Sequence, residues 1–337
     1  MERHTYQRSS GGSLVVPMEE GARIIGKSAT PKLAKMVGWK YAQLPASKVA
    51  EDMRLNHARP VSRTLVQRLG RCVGQIALDK EFEWAYGLPD FGEVVASVAI
   101  GRDGTTTAIV GGGYRETMCG TLSLYNGKGE RLHTIYTACA PEYGKGSFNM
   151  VMDMEIARLK AKYPKVGYIG LADGAKDNWE YLGRHTGVGI LDFFHATEYL
   201  AEVAQVVERS PAAQKGWLQG ACHDLKHVKK GAANILRELR HYRQNLTGEA
   251  PETLNRTITY FENNQHRMKY EQYQKMGYPI GSGVTEAACK VVAKQRLSCS
   301  GMRWGNESVQ HMLLLRGLIC TNGRWEQFWN KIDNNGL

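Results

Sequence analysis

Between Glu93 and Phe194 the hydrophobic pattern changes period several times, and that order of periods restricts the fold more than any other feature of the chain. Three strand-like runs come first: Val94 to Ile100, Gly120 to Tyr125, and Arg131 to Ala138, the last rich in Thr, Ile and Tyr. Asn126-Gly127-Lys128-Gly129 separates the second and third as a hairpin turn. A helix is expected from about Phe148 to Tyr163, where Met150, Met154, Ile156, Ala157 and Leu159 supply apolar positions. A strand (Val166 to Ala172), a short helix (Lys176 to Gly183) and a strand (Val188 to Phe194) follow. Hairpin-joined strands imply an antiparallel half, and the later alternation implies parallel strands with crossover helices. The expected class is α/β, built on a mixed sheet.

The flanks read as helical. Within 32–85, Ser47 to Leu55 and Ser62 to Leu78 are separated by a polar stretch ending in Pro60, which should break the helix. Leu65, Leu69, Val73 and Ile76 share one face of the second segment, leaving Arg63, Arg68 and Arg71 for another. This suits a helix-turn-helix laying a basic helix on DNA, and equally a plain helix–Pro–helix packing. After Phe194 the strand pattern stops. Ala196, Tyr199, Leu200, Val203 and Val207 form a helical stripe. Lys226 to Asn245 reads as one helix with a basic face of Lys226, Lys229, Lys230, Arg237, Arg240 and Arg243, and Pro251 could open a third helix. The chain returns through Gly277 to Gly283 to a helix carrying Glu286 and ends in an apolar helix around Val309 to Leu318. The expected organisation is an N-terminal helical, DNA-binding region (1–90), the first part of the sheet core (91–195), an all-helical insertion (196–277) and the completion of the core (278–337). This is the element order of the ribonuclease-H-like fold, in which the ends of the first and fourth strands lie side by side.

At 337 residues the chain can bury a full core. Its formal net charge of +11 favours a polyanionic partner, nucleic acid over membrane. No apolar run approaches the ~20 residues of a membrane span. The seven cysteines are scattered and contain no C-x-x-C pair, which excludes a disulfide framework and a zinc ribbon. Cys222-His223 with His227 reads as ordinary surface or buried residues. Met1 to Ser10 is polar, without the apolar core of a signal peptide. A cytoplasmic, nucleoid-associated protein is expected.

Three acidic residues carry the chemistry this pattern allows. Asp103 ends the first apolar run and Asp173 the fourth, each followed by Gly, and Glu286 opens a helix after Gly281-Ser282-Gly283. Phosphodiester cleavage and strand transfer use two divalent ions about 3.5–4 Å apart, one activating the attacking oxygen and one stabilising the leaving oxygen. Mg²⁺ needs hard oxygen ligands, and a few carboxylates with phosphate oxygens and waters suffice; Mn²⁺ is expected to substitute. Each residue has a plainer reading. Asp103 suits a turn, Asp173 a helix N-cap, and Glu286 an i,i+4 partner for Lys290.

Several motifs around these residues resemble bacterial insertion-sequence DDE transposases, in particular the ISKra-type group allied to the Mutator-like superfamily. They are Gly113-Tyr114-Arg115-Glu116 with Gly120-Thr121, Pro141-Glu142-Tyr143-Gly144-Lys145, Ala172-Asp173-Gly174-Ala175-Lys176-Asp177-Asn178-Trp179, Asp192-Phe193-Phe194-His195-Ala196, and Tyr278 to Gly283 through Glu286-Ala287-Ala288-Cys289-Lys290. Gln295-Arg296-Leu297, Ser300 to Trp304 and Leu315-Arg316 also fit, so the match runs from about residue 20 to 330. The resemblance implies a DDE triad on Asp103, Asp173 and Glu286, and Mg²⁺-dependent transposition. It implies double-stranded DNA (transposon ends and target) as partner, and a homo-oligomer on DNA, because paired ends need at least a dimer. It also implies an aspartate-x-x-histidine element near the site, falling on Asp192 and His195. Lys290 could reach a phosphate, and Trp304 could stack on an unpaired base, although core packing is the commoner role of a lone tryptophan. Arg296, Arg303 and the basic residues Lys226, Lys229, Lys230, Arg237 and Arg240 are the other candidate DNA contacts. The N-terminal region is short for a protein that recognises specific terminal repeats, so both a sufficient small helical domain and an additional upstream segment fit it. Two other readings use the same residues: a transposase-derived DNA-binding protein without catalysis, and a hydrolytic nuclease of the same fold.

Overall fold

The computed structural model describes residues 4–7, 9–12, 14–17, 21–141, 144–245 and 251–335. Glu142 and Tyr143 of the Pro141–Lys145 motif lie outside them, as do residues 1–3, 8, 13 and 18–20 of the stretch that the sequence reads as irregular. The helices α1 (Pro31–Tyr41), α2 (Ala46–His57) and α3 (Arg63–Asp79) precede the sheet. Thr30 and Ser62 cap α1 and α3 by accepting from Leu33 and Leu65 N–H groups. Five strands follow, β1 (Ser97–Ile109), β2 (Gly113–Tyr125), β3 (Arg131–Cys139), β4 (Gly167–Ala172) and β5 (Val188–Leu191), in the spatial order β3-β2-β1-β4-β5. β2 runs antiparallel to both β1 and β3, whereas β1, β4 and β5 are parallel. The α/β class and the mixed sheet are as the sequence implies.

One sheet face is covered by α4 (Gly144–Lys162) and α5 (Lys176–Leu182), with Val98, Ile100, Leu122, Phe148, Met152 and Tyr181 in the shared core. The opposite face is divided. Over β4 and β5 lie α6 (Phe193–Val207), α7 (Pro211–His227), α8 (Gly231–Asn245), α9 (Glu252–Asn264) and α10 (Tyr270–Lys275), packed around Ile169, Leu171, Ile190 and Phe261. Over β1 to β3 lie α11 (Gly283–Ala288) and α12 (Asn306–Cys320). α11 runs on through a π turn (Cys289–Lys294) into Gln295–Leu297. The chain closes with α13 (Arg324–Asn335). The N-terminal helices share their core with these C-terminal ones: Val37, Val49, Val66 and Leu69 belong to the same cluster as Val292, Leu313 and Phe328. Among the described residues no helix is long and apolar enough to cross a membrane.

Several boundaries differ from the sequence reading. β1 does not stop at Asp103. It continues to Ile109 along a ladder with β2, which begins at Gly113 rather than Gly120. The run Thr105-Thr106-Thr107-Ala108-Ile109 is β-prone and supports that extension. The basic segment from Lys226 to Asn245 is two helices. Lys230 adopts a left-handed φ of 62°, and a side chain at Gly231 would run into the Asp224 carbonyl, so the chain turns there. β5 ends at Leu191, and Phe193-Phe194 already belong to α6.

Candidate functional site

Parallel pairing sets the level of the two aspartates. Ser97 to Ile100 pair with Gly167 to Gly170, and the same offset of 70 residues brings Asp103 level with Asp173 just beyond the last pair. Alternation puts Ala99, Gly101 and Asp103 on the sheet face of Ile169, Leu171 and Asp173, the face that α11 and the helical insertion cover. The neighbouring strand repeats the level: Leu191 pairs with Ala172, and the Asp192 N–H donates to the Ala172 carbonyl at 2.9 Å. A row of carboxylates thus crosses the sheet at one level, partway along β1 and just past the carboxyl ends of β4 and β5.

Each member of the row is held differently. Asp173 accepts from the Ala175 N–H (3.1 Å) and the Asn178 side-chain amide (3.0 Å), both on Oδ1. Asp103 accepts from the Gly104 N–H at 2.7 Å and faces the Cys289 thiol, Sγ to Oδ2 3.6 Å. Asp192 is fully buried. Its Oδ1 accepts from the His195 N–H at 2.9 Å and caps α6, and its Oδ2 accepts from the Ser282 N–H. Both oxygens of Asp192 are therefore engaged in joining β5, α6 and the turn before Glu286, which makes it a positioning residue.

Gly101 is what lets α11 lie on β1. A Cβ there would stand 2.0 Å from the Thr285 hydroxyl, and Thr285 is in turn 2.7 Å from the Thr121 hydroxyl, buried. Glu286, next in sequence, is half exposed; its Oε1 accepts from the Ser282 hydroxyl at 2.8 Å and stands 3.9 Å from His195 Nε2. His195 Nδ1 lies 3.2 Å from Glu198. One turn further, Cys289 reaches Asp103 and Cys119, the cross-strand partner of Asp103. The hydrogen bond from Cys289, then burial and the nearby Asp103 charge, push the Cys119 thiol well above its usual range, so it stays protonated.

These contacts decide what the site suits. The acidic donors are carboxylate oxygens, and such a set matches a hard cation that retains waters and substrate phosphate oxygens. Among the described residues no three His, Cys, Asp or Glu side chains form a ready-made metal cage. Glu286 Oε1 accepts from the Ser282 hydroxyl. As hard oxygen donors, Asp103, Asp173 and Glu286 fit an ion completed by water and phosphate. Beside Asp173 opens a cavity of about 570 Å³ lined by Gly174, Trp179, Tyr199, Tyr260 and Arg267. Tyr260 stacks on Tyr199 at 4.0 Å, and its ring would be 2.6 Å from a Cβ on Gly174, so only glycine allows the insertion this close.

The candidate DNA contacts divide into two sets. Lys229, Lys230, Arg237, Lys290 and Arg303 are exposed, while Lys226 is half-buried over the Phe193 ring. Arg240 is exposed but paired with Glu262 at 2.6 Å. Arg296 and Trp304 are not surface groups. Arg296 donates to the Tyr41 carbonyl at 2.9 Å and lies over both the Tyr41 and Trp304 rings, and Trp304 Nε1 donates to the Leu297 carbonyl. Trp304 is a core residue here, its face taken by Arg296 and its backbone bridged to Ile109. His223 and His227 stack 5.1 Å apart on α7 without forming a metal site among the described residues.

Sequence reasoning missed Asn178, Ser282, Thr285, Cys119 and Cys289 as parts of the site. Asn178 was signalled by its place five residues after Asp173, within reach across the first turn of α5. The others become neighbours only through the β1–β2 register and the approach of α11. No protein-family model and no curated protein matches the chain.

Proposed function

We propose that the chain is a DDE-type DNA transposase with a ribonuclease-H-like core, cleaving and joining DNA strands at insertion-sequence ends. One observation carries the reading: Asp103 and Asp173 are level on one sheet face, and the helix bearing Glu286 lies against Asp103. The sheet order with one antiparallel central neighbour, the helical insertion between β5 and α11, and the transposase-like motifs support it.

Divalent ions bound by Asp103, Asp173 and Glu286, Mg²⁺ or Mn²⁺, would supply activation of the attacking oxygen and stabilisation of the leaving one. The chain's own groups do the positioning. Asn178 and the Ala175 N–H hold one oxygen of Asp173 and leave the other to face the site. Cys289 stays close to Asp103, Sγ to Oδ2 3.6 Å. Asp192 locks α6 to the Ser282 turn, which keeps His195 beside Glu286. The basic helices and the charge of +11 attract the DNA backbone.

The test is metal-dependent nicking and joining of terminal-repeat DNA, supplied by the inverted repeats flanking the coding region. Asp173→Asn and Glu286→Gln are each expected to lower both steps at least ~10²-fold. Retention of wild-type activity by either would remove it from the triad. Cutting without any joining of a 3′-hydroxyl end would make the protein a nuclease instead.

A further inference from the structure

A second cavity, of about 380 Å³, lies between the N-terminal helices and the 296–308 segment. Arg63 and Arg71 of α3, Arg303, and the buried Arg296 line it, and no carboxylate does. Arg63, Arg71 and Arg303 make no ion pair among the described residues. Two helices also begin at its wall. α2 starts at Ala46 behind Pro45, and α12 at Asn306 behind Gly305, and neither has a side-chain cap. Their first N–H groups and positive dipole ends therefore add to four guanidinium charges. Four like charges around one opening repel one another, and a bound anion relieves that repulsion.

We propose that this cavity is a phosphate-binding site and that its occupant is a backbone phosphate of bound DNA; this rests on the DNA-processing reading above. Guanidinium forks suit phosphate oxygens. The position argues for DNA over a free ion. Trp304 bridges to Ile109, six residues along β1 from Asp103 or roughly 20 Å. At 3.4 Å of helix axis per phosphate on one strand, that is about six nucleotides. A duplex with its scissile phosphate at Asp103 and Asp173 is long enough to span that distance within about six nucleotides. Arg68, also exposed on α3, lies outside the cavity and donates to the Ser28 hydroxyl at 2.7 Å.

The experiment compares the full-length protein with the triple variant Arg63→Gln, Arg71→Gln, Arg303→Gln. All three side chains are exposed, and unfolding without added anion checks that the variant is folded. Single Arg303→Gln is the milder control. The probes are inorganic phosphate, read by thermal shift, and a short DNA duplex of arbitrary sequence, read by anisotropy across salt concentrations. Phosphate should raise the melting temperature of the wild type but not of the triple variant. The triple variant should bind duplex about tenfold more weakly, with a log–log salt slope shallower by about 1. Wild-type affinity and slope in the triple variant would overturn the proposal. Loss of the phosphate effect with unchanged DNA binding would also overturn it, making the occupant a free anion. If the variant loses DNA binding while the wild type neither nicks nor joins DNA, the cavity assignment stands and the transposase reading fails.

Discussion

The two sides of the candidate site are built to different standards of rigidity. Asp103 and Asp173 sit on backbone whose position is set by strand ladders: β1 is paired on both sides up to Ile100, and β2 continues past Asp103. Glu286 stands on a short helix, half exposed, with a flexible side chain turned toward Ser282 and His195. The sheet fixes where two carboxylates are, whereas the third is placed by a few side-chain contacts that can be exchanged. On the proposed reading the site admits DNA and then closes around metal and phosphate, which calls for one adjustable ligand, and Glu286 on the helix side suits that role.

The strongest way to break this contrast is to push the two sides apart. Gly101→Val places a branched side chain where a Cβ alone would already meet the Thr285 hydroxyl at 2.0 Å. α11 must lift from β1, and the Thr121–Thr285 hydrogen bond is lost. Overpacking of this kind costs about 1–3 kcal/mol, and a displacement near 1 Å at the reacting groups lowers activity about 10²-fold. Chemical denaturation and a nicking assay read the two effects. Normal activity in a folded Gly101→Val protein would mean that α11 need not touch the sheet.

A smaller effect on activity separates positioning from chemistry. Asp192→Ala removes the cap of α6, worth about 1 kcal/mol, and strands the Ser282 N–H, a further 1–3 kcal/mol. The expected loss is roughly 2–4 kcal/mol of stability, with Asp192→Asn recovering part of it through its remaining carbonyl oxygen. Activity should recover in parallel with stability when either variant is assayed well below its melting temperature. A fully stable Asp192→Ala protein without activity would move Asp192 into the chemistry, and the helix side would then hold two reacting carboxylates.

The same contrast explains what could be read from the residues. The order of strands and helices was legible because each element carries its own period, and the level of Asp103 with Asp173 follows from that order. The end of β1 was not. Gly104 after Asp103 has the look of a turn, and only the long antiparallel ladder with β2 overrides it. The break at Val228 to Lys230 was hidden because the apolar stripe continues through it, and the left-handed Lys230 has no sequence signal as strong as Gly or Asn. Asp192 read as a strand end with a site role; its two hydrogen bonds show that a buried aspartate just before a helix was acting as the cap. Arg296 reads as a DNA contact because charge is visible in a sequence, and for Trp304 base stacking stands beside the commoner core role, which the structure shows; their mutual stacking under Tyr41 depends on the N-terminal helices folding back. Cys119 and Cys289 are 170 residues apart, and nothing local marks them as neighbours of one carboxylate.

The smallest change sharpens the comparison most. Ser282→Ala deletes the hydroxyl that holds Glu286 Oε1 at 2.8 Å, and leaves the Ser282 N–H bond to Asp192 in place because that bond uses the backbone. The lost hydrogen bond is partly exposed, so stability should change by under about 1 kcal/mol. If the Ser282 contact is a resting position that Glu286 must leave to bind metal, its removal lowers the cost of that rotation. The Mg²⁺ concentration for half-maximal nicking should then fall about twofold, with the maximal rate little changed. A rise in that concentration would show instead that Ser282 orients Glu286 for the ion, and the helix side would then be as preorganised as the sheet side. The same titration in the Glu286→Gln background checks that the effect runs through Glu286. An effect of Ser282→Ala that acts through Glu286 disappears in that background, because a neutral amide leaves the hydroxyl no carboxylate to hold.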